Sequence, residues 1–244
     1  MDQRLAYEEY GYKKPAPLPS HFYLARPLLR LIPRLGGHLR VLDVGCGNGA
    51  MAAEFLRRGC KVTGIDLSRE GVEVARAAYP LGRFEVMEAD DEILSRLHED
   101  PYDVVISTET IEHLYDPRSF AEGCFAATRP GGLFLISTPY HGYLKNLVLS
   151  LLNRWDAHID PFWRGGHIKL WSHNTLSRLL RETGFTEIRF RGVGRFPFLW
   201  KSMILSAVRP PSTPQILPFE SSSAHSGSPS TQDESEGAAS TSKG

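Results

Sequence analysis

The stretch VLDVGCGNGA, Val41 to Ala50, constrains the fold more than any other part of this 244-residue chain. A short apolar run enters three alternate glycines, Gly45, Gly47 and Gly49, and helical spacing resumes at once in AMAAEFLRRG (50–59). Glycine at a strand-to-helix turn permits positive φ and lets a ligand approach the main chain closely. A second apolar run, KVTGIDL (61–67), closes on Asp66, 21 residues after Gly45. A carboxylate in that place can accept two hydrogen bonds from a ribose diol. Strand, glycines, helix, strand and acid in this order predict a βαβ unit that holds an adenosine-type ligand. The bland alternative is a structural turn followed by an exposed acid.

The alternation continues along the chain. FEVMEAD (84–90), YDVVIST (102–108), GGLFLISTP (131–139), FTEIRFRG (185–192) and SMILSAVRP (202–210) read as strands. Between them, SREGVEVARAAY (68–79) reads as a helix capped by Ser68, with Glu70 in its first turn; helices follow at about 117–128 and in SHNTLSRLLRETG (172–184). Strands alternating with helices predict an α/β fold with a doubly wound, mostly parallel sheet of seven strands. The short connection between the last two strands makes them a hairpin, with the last strand antiparallel. In such sheets the ligand lies beyond the C-terminal strand ends. Gly45–Gly49, Asp66, Asp90 and the stretch STETIEHLYDP (107–117) all fall there.

Charge excludes little and suggests little. Lys plus Arg and Asp plus Glu stand at 28 each, so no net charge points to nucleic acid. Cys46, Cys60 and Cys124 have neither disulfide nor metal-ligand spacing, which points to a reducing compartment. The N-terminus has no apolar signal core, and no run approaches the roughly 20 apolar residues of a membrane span. A cytoplasmic protein is expected, with peripheral membrane contact left open. Residues 1–39 read as an N-terminal helical cap and 40–209 as the ligand-binding domain, with an insertion at 140–171. The Ser-, Pro- and Gly-rich remainder, 210–244, reads as a disordered tail.

GNGAMA also fits G-x-G-x-x-A, so a dinucleotide ligand has to be weighed. Asp43, two residues before Gly45, would repel a pyrophosphate, and the terminal hairpin is foreign to the usual dinucleotide fold. VLDVGCGNG, VTGIDLS, EAD and TRPGGLFLISTP together resemble the class I S-adenosylmethionine-dependent methyltransferases over about residues 40–209. The resemblance implies that Gly45, Cys46, Gly47 and Gly49 pack along the methionine end of S-adenosyl-L-methionine. It implies further that Asp66, followed by Leu67, binds the ribose, that Asp90 meets the adenine amino group, and that Thr108 contacts the cofactor through its backbone. Asp43 would meet a cationic group or orient the loop.

Within STETIEHLYDP, Glu109, Glu112 and His113 stand at i, i+3 and i+4, one face of a helix. ETIEHLYDP is most similar to the O-methyltransferases of ubiquinone biosynthesis, and small-RNA 2′-O-methyltransferases have a similar element. The resemblance implies a site for Mg2+ or another divalent metal formed by Glu109, Glu112 and His113, with His167 in RGGHIKLWS as a further ligand. Two other readings stand beside it: His113 as a metal-free general base, and a structural or positioning role alone. His141 reads as substrate-pocket lining. The expected activity is O-methylation of a small or lipid-linked hydroxylated acceptor. N- or C-methylation of a metabolite or sugar, and a catalytically silent binding module, are the alternatives. Trp155, Trp163 and Gly165–Gly166 depart from the ubiquinone group's pattern and leave a quinone substrate in doubt.

In the insertion, Leu144, Leu147, Val148, Leu151, Leu152 and Trp155 fall on one apolar helix face, opposite Lys145, Asn146, Ser150, Asn153 and Arg154. That helix reads as a membrane-surface contact through 143–155, as a lid packed on the domain, or as a dimer face. Residues 21–37 are expected to cover the cofactor, with Arg26 toward its carboxylate, and 192–202 to wall the substrate pocket.

Overall fold

The computed structural model describes residues 11–33, 38–159, 162 and 166–211. The expected tail from residue 212 onward, much of the N-terminal cap (1–10 and 34–37), and Trp163 and Gly165 of the insertion lie outside the described residues.

Seven strands form one sheet: β1 (Arg40–Val44), β2 (Lys61–Asp66), β3 (Arg83–Val86), β4 (Tyr102–Thr108), β5 (Thr128–Pro139), β6 (Thr186–Val193) and β7 (Ser202–Val208). Their order is β3-β2-β1-β4-β5-β7-β6. All neighbours are parallel except β7, which runs antiparallel to both β5 and β6. The helices are α1 (His21–Leu29), α2 (Ala50–Leu56), α3 (Arg69–Ala78), α4 (Ile93–Leu97), α5 (Pro117–Ala127), α6 (Tyr143–Leu151), α7 (Trp155–Ile159) and α8 (His173–Thr183). The expected strands are all present. The short helix α4 was not expected: its five residues are too few to set up a helical period in the sequence.

The central strands read as unbroken apolar runs because both faces of the sheet are covered. Leu42, Val105, Phe134 and Leu205 point into a core shared with α4, α5 and α8, through Leu97, Phe120 and Leu180. Their neighbours Val41, Val104, Leu135 and Ile204 point into the opposite core, shared with α1, α2 and α3 through Leu28, Phe55 and Val72. This is the period-2 alternation of a strand, expressed as two apolar cores. Local chemistry sets the helix ends. The Ser68 hydroxyl accepts from the Gly71 amide at the start of α3. Asp116 caps α5 ahead of Pro117, and Ser172 and Thr175 form a reciprocal capping box on α8, which stops at Gly184.

The insertion departs from expectation. It is two helices rather than one, broken at Asn153, whose φ of 49° leaves the helical region. The apolar side of α6 faces outward, with Leu151 75% exposed and Leu144, Leu147 and Leu152 also exposed. Lys145, expected on the solvent side, is only 7% exposed and turns inward, donating to the Lys201 carbonyl at 3.3 Å. The lid reading, in which the leucines pack down on the domain, is therefore reversed.

Gly123 of α5 packs directly on the loop after β3: a Cβ there would overlap the carbonyl of Asp90. In a helix, alanine would ordinarily gain about 1 kcal/mol over glycine. Gly123→Ala should instead lose about 1–3 kcal/mol, as overpacking does. Urea unfolding of both proteins measures the sign, and a stabilised variant would refute this packing account.

Candidate active site

A cavity of about 1110 Å3 opens at the C-terminal ends of β1, β2 and β4. Its floor is the glycine loop. The Ile65 carbonyl accepts from both the Gly45 and Cys46 amides, at 2.8 and 3.0 Å, tying the loop to β2. Gly45 has φ 79°, and a side chain there would collide with Thr110. A Cβ on Gly47 would come within 2.6 Å of the Tyr12 hydroxyl, so the N-terminal segment lies across the loop. Asn48 holds it there, donating to the carbonyls of Lys14 and Ala16, both at 2.9 Å.

Asp66 lines the cavity and is fixed by two main-chain amides, Gly47 to Oδ2 at 2.8 Å and Ser68 to Oδ1 at 2.7 Å. Burial raises its pKa, and those two amides oppose the rise. Each oxygen keeps a lone pair for a further donor. Cys46, Leu67, Asp90 and Thr108 also line the cavity. The Asp90 carboxylate is already engaged, by Arg96 at 2.8 and 3.0 Å and by the Glu92 amide at 3.0 Å. Gly49 and Asp43 are not among the lining residues. Gly49 shapes the entry to α2 with φ 76°. Asp43 is fully buried, and neither of its oxygens has a hydrogen-bond partner. It sits behind the loop, outside the cavity lining. Arg26 is a correction: it lies in a separate groove between α1 and α2, with Arg30 and Arg58, and not at the cavity. Residues 192–202 and His141 are likewise absent from its lining. Tyr12, Asn48 and Met51 were missed by sequence reasoning, because no local pattern links residues 11–20 to the glycine loop.

Glu109, Glu112, His113 and His167 all line the cavity, but not through the expected helix face. Glu109 ends β4 in left-handed conformation, φ 53°, and only Ile111–His113 is helical, as a single 3-10 turn. The i, i+3, i+4 geometry therefore does not apply. A non-glycine residue at such a φ costs about 1–3 kcal/mol, which the surroundings must supply. Here the Glu109 amide bonds Ser137, and its carboxylate accepts from the hydroxyls of Ser137 at 2.9 Å and Ser202 at 3.0 Å. Burial pushes the Glu109 pKa to about 7, against those two hydrogen bonds.

The other three converge. Glu112, His113 and His167 present ligand atoms all within 4.8 Å of one another. The Ile168 and Lys169 amides donate to the Glu112 carbonyl at 2.9 and 3.1 Å, which carries His167 to the turn. The Glu112 Oε2 accepts from the Thr138 hydroxyl at 2.9 Å, whereas its buried Oε1 has no hydrogen-bond partner. His113 Nδ1 lies 3.1 Å from the Gly166 carbonyl, so the proton sits on Nδ1; Nε2 lies 3.9 Å from Glu112 Oε1. Burial, then the neighbouring imidazole of His113, lowers the His167 pKa to about 4 and leaves it neutral. Burial, then Glu109, drives the Glu112 pKa well up. An orphaned carboxylate oxygen beside two imidazoles is a donor set that a divalent cation would satisfy. One carboxylate with two imidazoles suits manganese or iron better than magnesium, which prefers oxygen ligands. Glu109, expected in the set, stands outside this three-residue group, held by its two serines.

A doubly wound sheet with β7 inserted antiparallel between β5 and β6, and the site at the glycine-loop end, defines a class I methyltransferase fold. A family model described as a methyltransferase domain matches residues 20–189. The ubiquinone biosynthesis O-methyltransferase of Vibrio cholerae is 40% identical over 162 residues, 65% of this chain and 66% of that protein. That of Aromatoleum aromaticum is 30% identical over 160 residues, 65% of this chain and 68% of that one. The matched region thus spans about two thirds of these relatives' length. Among solved structures, a SAM-dependent methyltransferase from Archaeoglobus fulgidus superposes with a TM-score of 0.58 at 20% identity, covering 76% of this chain and 92% of its own. A Haloferax volcanii putative methyltransferase in complex with its Trm112 activator gives 0.57 at 23%, covering 76% and 88%. The chain belongs to the S-adenosylmethionine-dependent methyltransferases.

Burial, then repulsion by Asp66, raises the Asp43 pKa from 3.8 to about 7; the Ala52 amide opposes this without completing a hydrogen bond. A raised folded-state value means stability is complete below about pH 4, falls as pH rises to about 7, and is level above. At about 1.4 kcal/mol per unit, wild type should lose up to about 4 kcal/mol relative to Asp43→Asn between pH 4 and 7.5. Urea unfolding of both proteins at the two pH values measures it. A difference that does not change with pH refutes the buried, protonated Asp43.

Proposed function

We propose that this enzyme methylates a hydroxyl of a small or lipid-linked acceptor, with a divalent cation held by Glu112, His113 and His167. The observation that carries the reading is the buried, unpartnered Glu112 Oε1 beside two imidazoles at the wall of the cofactor cavity. The relatives named for ubiquinone biosynthesis are O-methyltransferases, which supports the oxygen acceptor. Asp66 holds the ribose diol of S-adenosyl-L-methionine, with its two main-chain amides fixing the carboxylate. Gly45, Cys46 and Gly47 pass beneath the methionine end, the Thr108 backbone borders the methyl, and Tyr12 closes the loop from above. Asp90 reaches the adenine only while keeping or yielding its pair with Arg96.

Methyl transfer forms an O–C bond, breaks the S–C bond, and requires the acceptor to lose its proton. A bound divalent cation would supply Lewis-acid lowering of that hydroxyl's pKa. His113, with Nδ1 tied to Gly166, offers Nε2 to the same proton in the metal-free reading. The outward leucines of α6 support a lipid-linked acceptor and a peripheral membrane contact through 143–155. Among the described residues no helix is long and apolar enough to cross a membrane.

Asp66→Ala should weaken S-adenosyl-L-methionine binding by about 2 kcal/mol or more, read by calorimetry; unchanged affinity removes the ribose role. Methyl transfer from labelled cofactor to catechol and to a polyprenylated catechol in vesicles, with and without EDTA, tests the rest. EDTA or Glu112→Gln should lower turnover at least tenfold while cofactor binding persists. Turnover indifferent to EDTA removes the metal and leaves His113 as the base. Equal rates on the two acceptors remove the lipid tail.

A further inference from the structure

The groove that holds Arg26 lies between α1 and α2 and encloses about 570 Å3. It shares only His21 with the lining of the cofactor cavity. Phe22, Arg26 and Arg30 follow one another at four-residue intervals along α1, Arg30 being its C-cap in helical conformation. Each therefore lies about 6 Å beyond the last, in one stripe about 12 Å long. All three are exposed, Phe22 by 77%. Half-buried Leu29 lies between them, and Arg58, just past the end of α2, lines the opposite bank.

The groove is electrically unbalanced. Its three guanidiniums face one carboxylate, Glu54. That carboxylate is already engaged: it pairs with Arg57 and, at 3.0 Å, with Arg58, and His21 Nε2 lies 3.4 Å from it. Among the described residues, no carboxylate stands within ion-pair distance of Arg26 or Arg30. A guanidinium is a planar fork of donors that fits a carboxylate bidentately. The chain as a whole balances at 28 basic and 28 acidic residues, so this excess is local. Shape narrows what could answer it. A bilayer is flat on this scale, whereas these arginines line a concavity from its two banks. A single nucleic-acid strand needs a basic track several nucleotides long, and this stripe is about two helical turns. That length suits a short helical segment laid in the groove.

We propose that the α1–α2 groove docks an acidic helical segment of a partner protein. An apolar residue of that segment packs on Phe22 and Leu29, and two carboxylates one turn apart pair with Arg26 and Arg30. The four-residue spacing of the arginines sets the spacing of the acids, because a helix laid along α1 repeats at the same rise. Phe22 supplies the apolar anchor, and the arginines supply orientation and choice of partner. The site is independent of the methyl acceptor and of the metal.

The test is fluorescence anisotropy with the full chain and a labelled helical peptide of leucine and glutamate, its glutamates one turn apart. The control peptide has glutamine for glutamate. Wild type should prefer the glutamate peptide about tenfold, since two exposed ion pairs of about threefold each combine. The double variant Arg26→Gln, Arg30→Gln should bring that ratio to about one. Phe22→Ser should weaken both peptides alike. Salt at about 1 M, where screening acts within about 3 Å, should erase the preference in wild type. S-adenosylhomocysteine affinity, measured by calorimetry on the same variants, should be unchanged and reports folding. No saturable binding of the glutamate peptide, equal affinity for the two peptides, or a preference that survives the double variant would overturn the proposal. So would tighter arginine-dependent binding to phosphatidylglycerol vesicles or to oligothymidylate, which would assign the groove to a lipid surface or a nucleic acid. Weakened S-adenosylhomocysteine binding by folded Arg26→Gln would return Arg26 to the cofactor and overturn it as well.

Discussion

The carbonyl of Ile65, accepting from Gly45 and Cys46 at once, is the junction on which this molecule depends. It locks the glycine loop to the end of β2 and sets Asp66 against the Gly47 amide. It also sets the entry to α2, which packs back against β1 and β2. The cavity exists because the loop after β1 is short, glycine-lined and tied on both sides. Asp43, buried behind it without a hydrogen-bond partner, is the energetic cost of that arrangement.

The second organising feature is the distribution of strain and orphaned groups. Glu109 is held at positive φ by two serines from β5 and β7, strands far away in sequence. Glu112 is left with an unpartnered oxygen, and His141 and His158 with unpartnered nitrogens. Among the described residues, Ser107 Oγ, Trp171 Nε1, Ser177 Oγ and both Asp43 oxygens are also buried without a hydrogen-bond partner. Those of Glu112, His141 and His158 belong to the turn after β4 and to the insertion.

Residues that carry a short-range signal were legible in advance. The strands showed as apolar runs, the helix starts as Ser68 and Ser172, and the cofactor elements as glycines followed by an acid at a fixed distance. What escaped was whatever depends on contacts across the chain. Nothing in residues 11–16 announces that Tyr12 lies over Gly47. Arg26 was expected at the cofactor because the resemblance implies that such segments cover it, but the turn of α1 directs it to another groove. The insertion helix was read from its apolar stripe, yet Lys145 found a carbonyl inside, and the stripe faces out.

The sequence by itself determined the order of elements, the class of sheet and the methyltransferase family, because hydrophobic periodicity and turn chemistry are local and repeat in register with the backbone. It also named Glu109, Glu112, His113 and His167 as one constellation. Only the tertiary structure decided their grouping. It drew His167 to Glu112 through two main-chain hydrogen bonds, and it took Glu109 out of the set by surrounding it with hydroxyls. Whether a carboxylate is a ligand or a bonded partner depends on which side chains from distant strands reach it first, and spacing along the chain does not encode that.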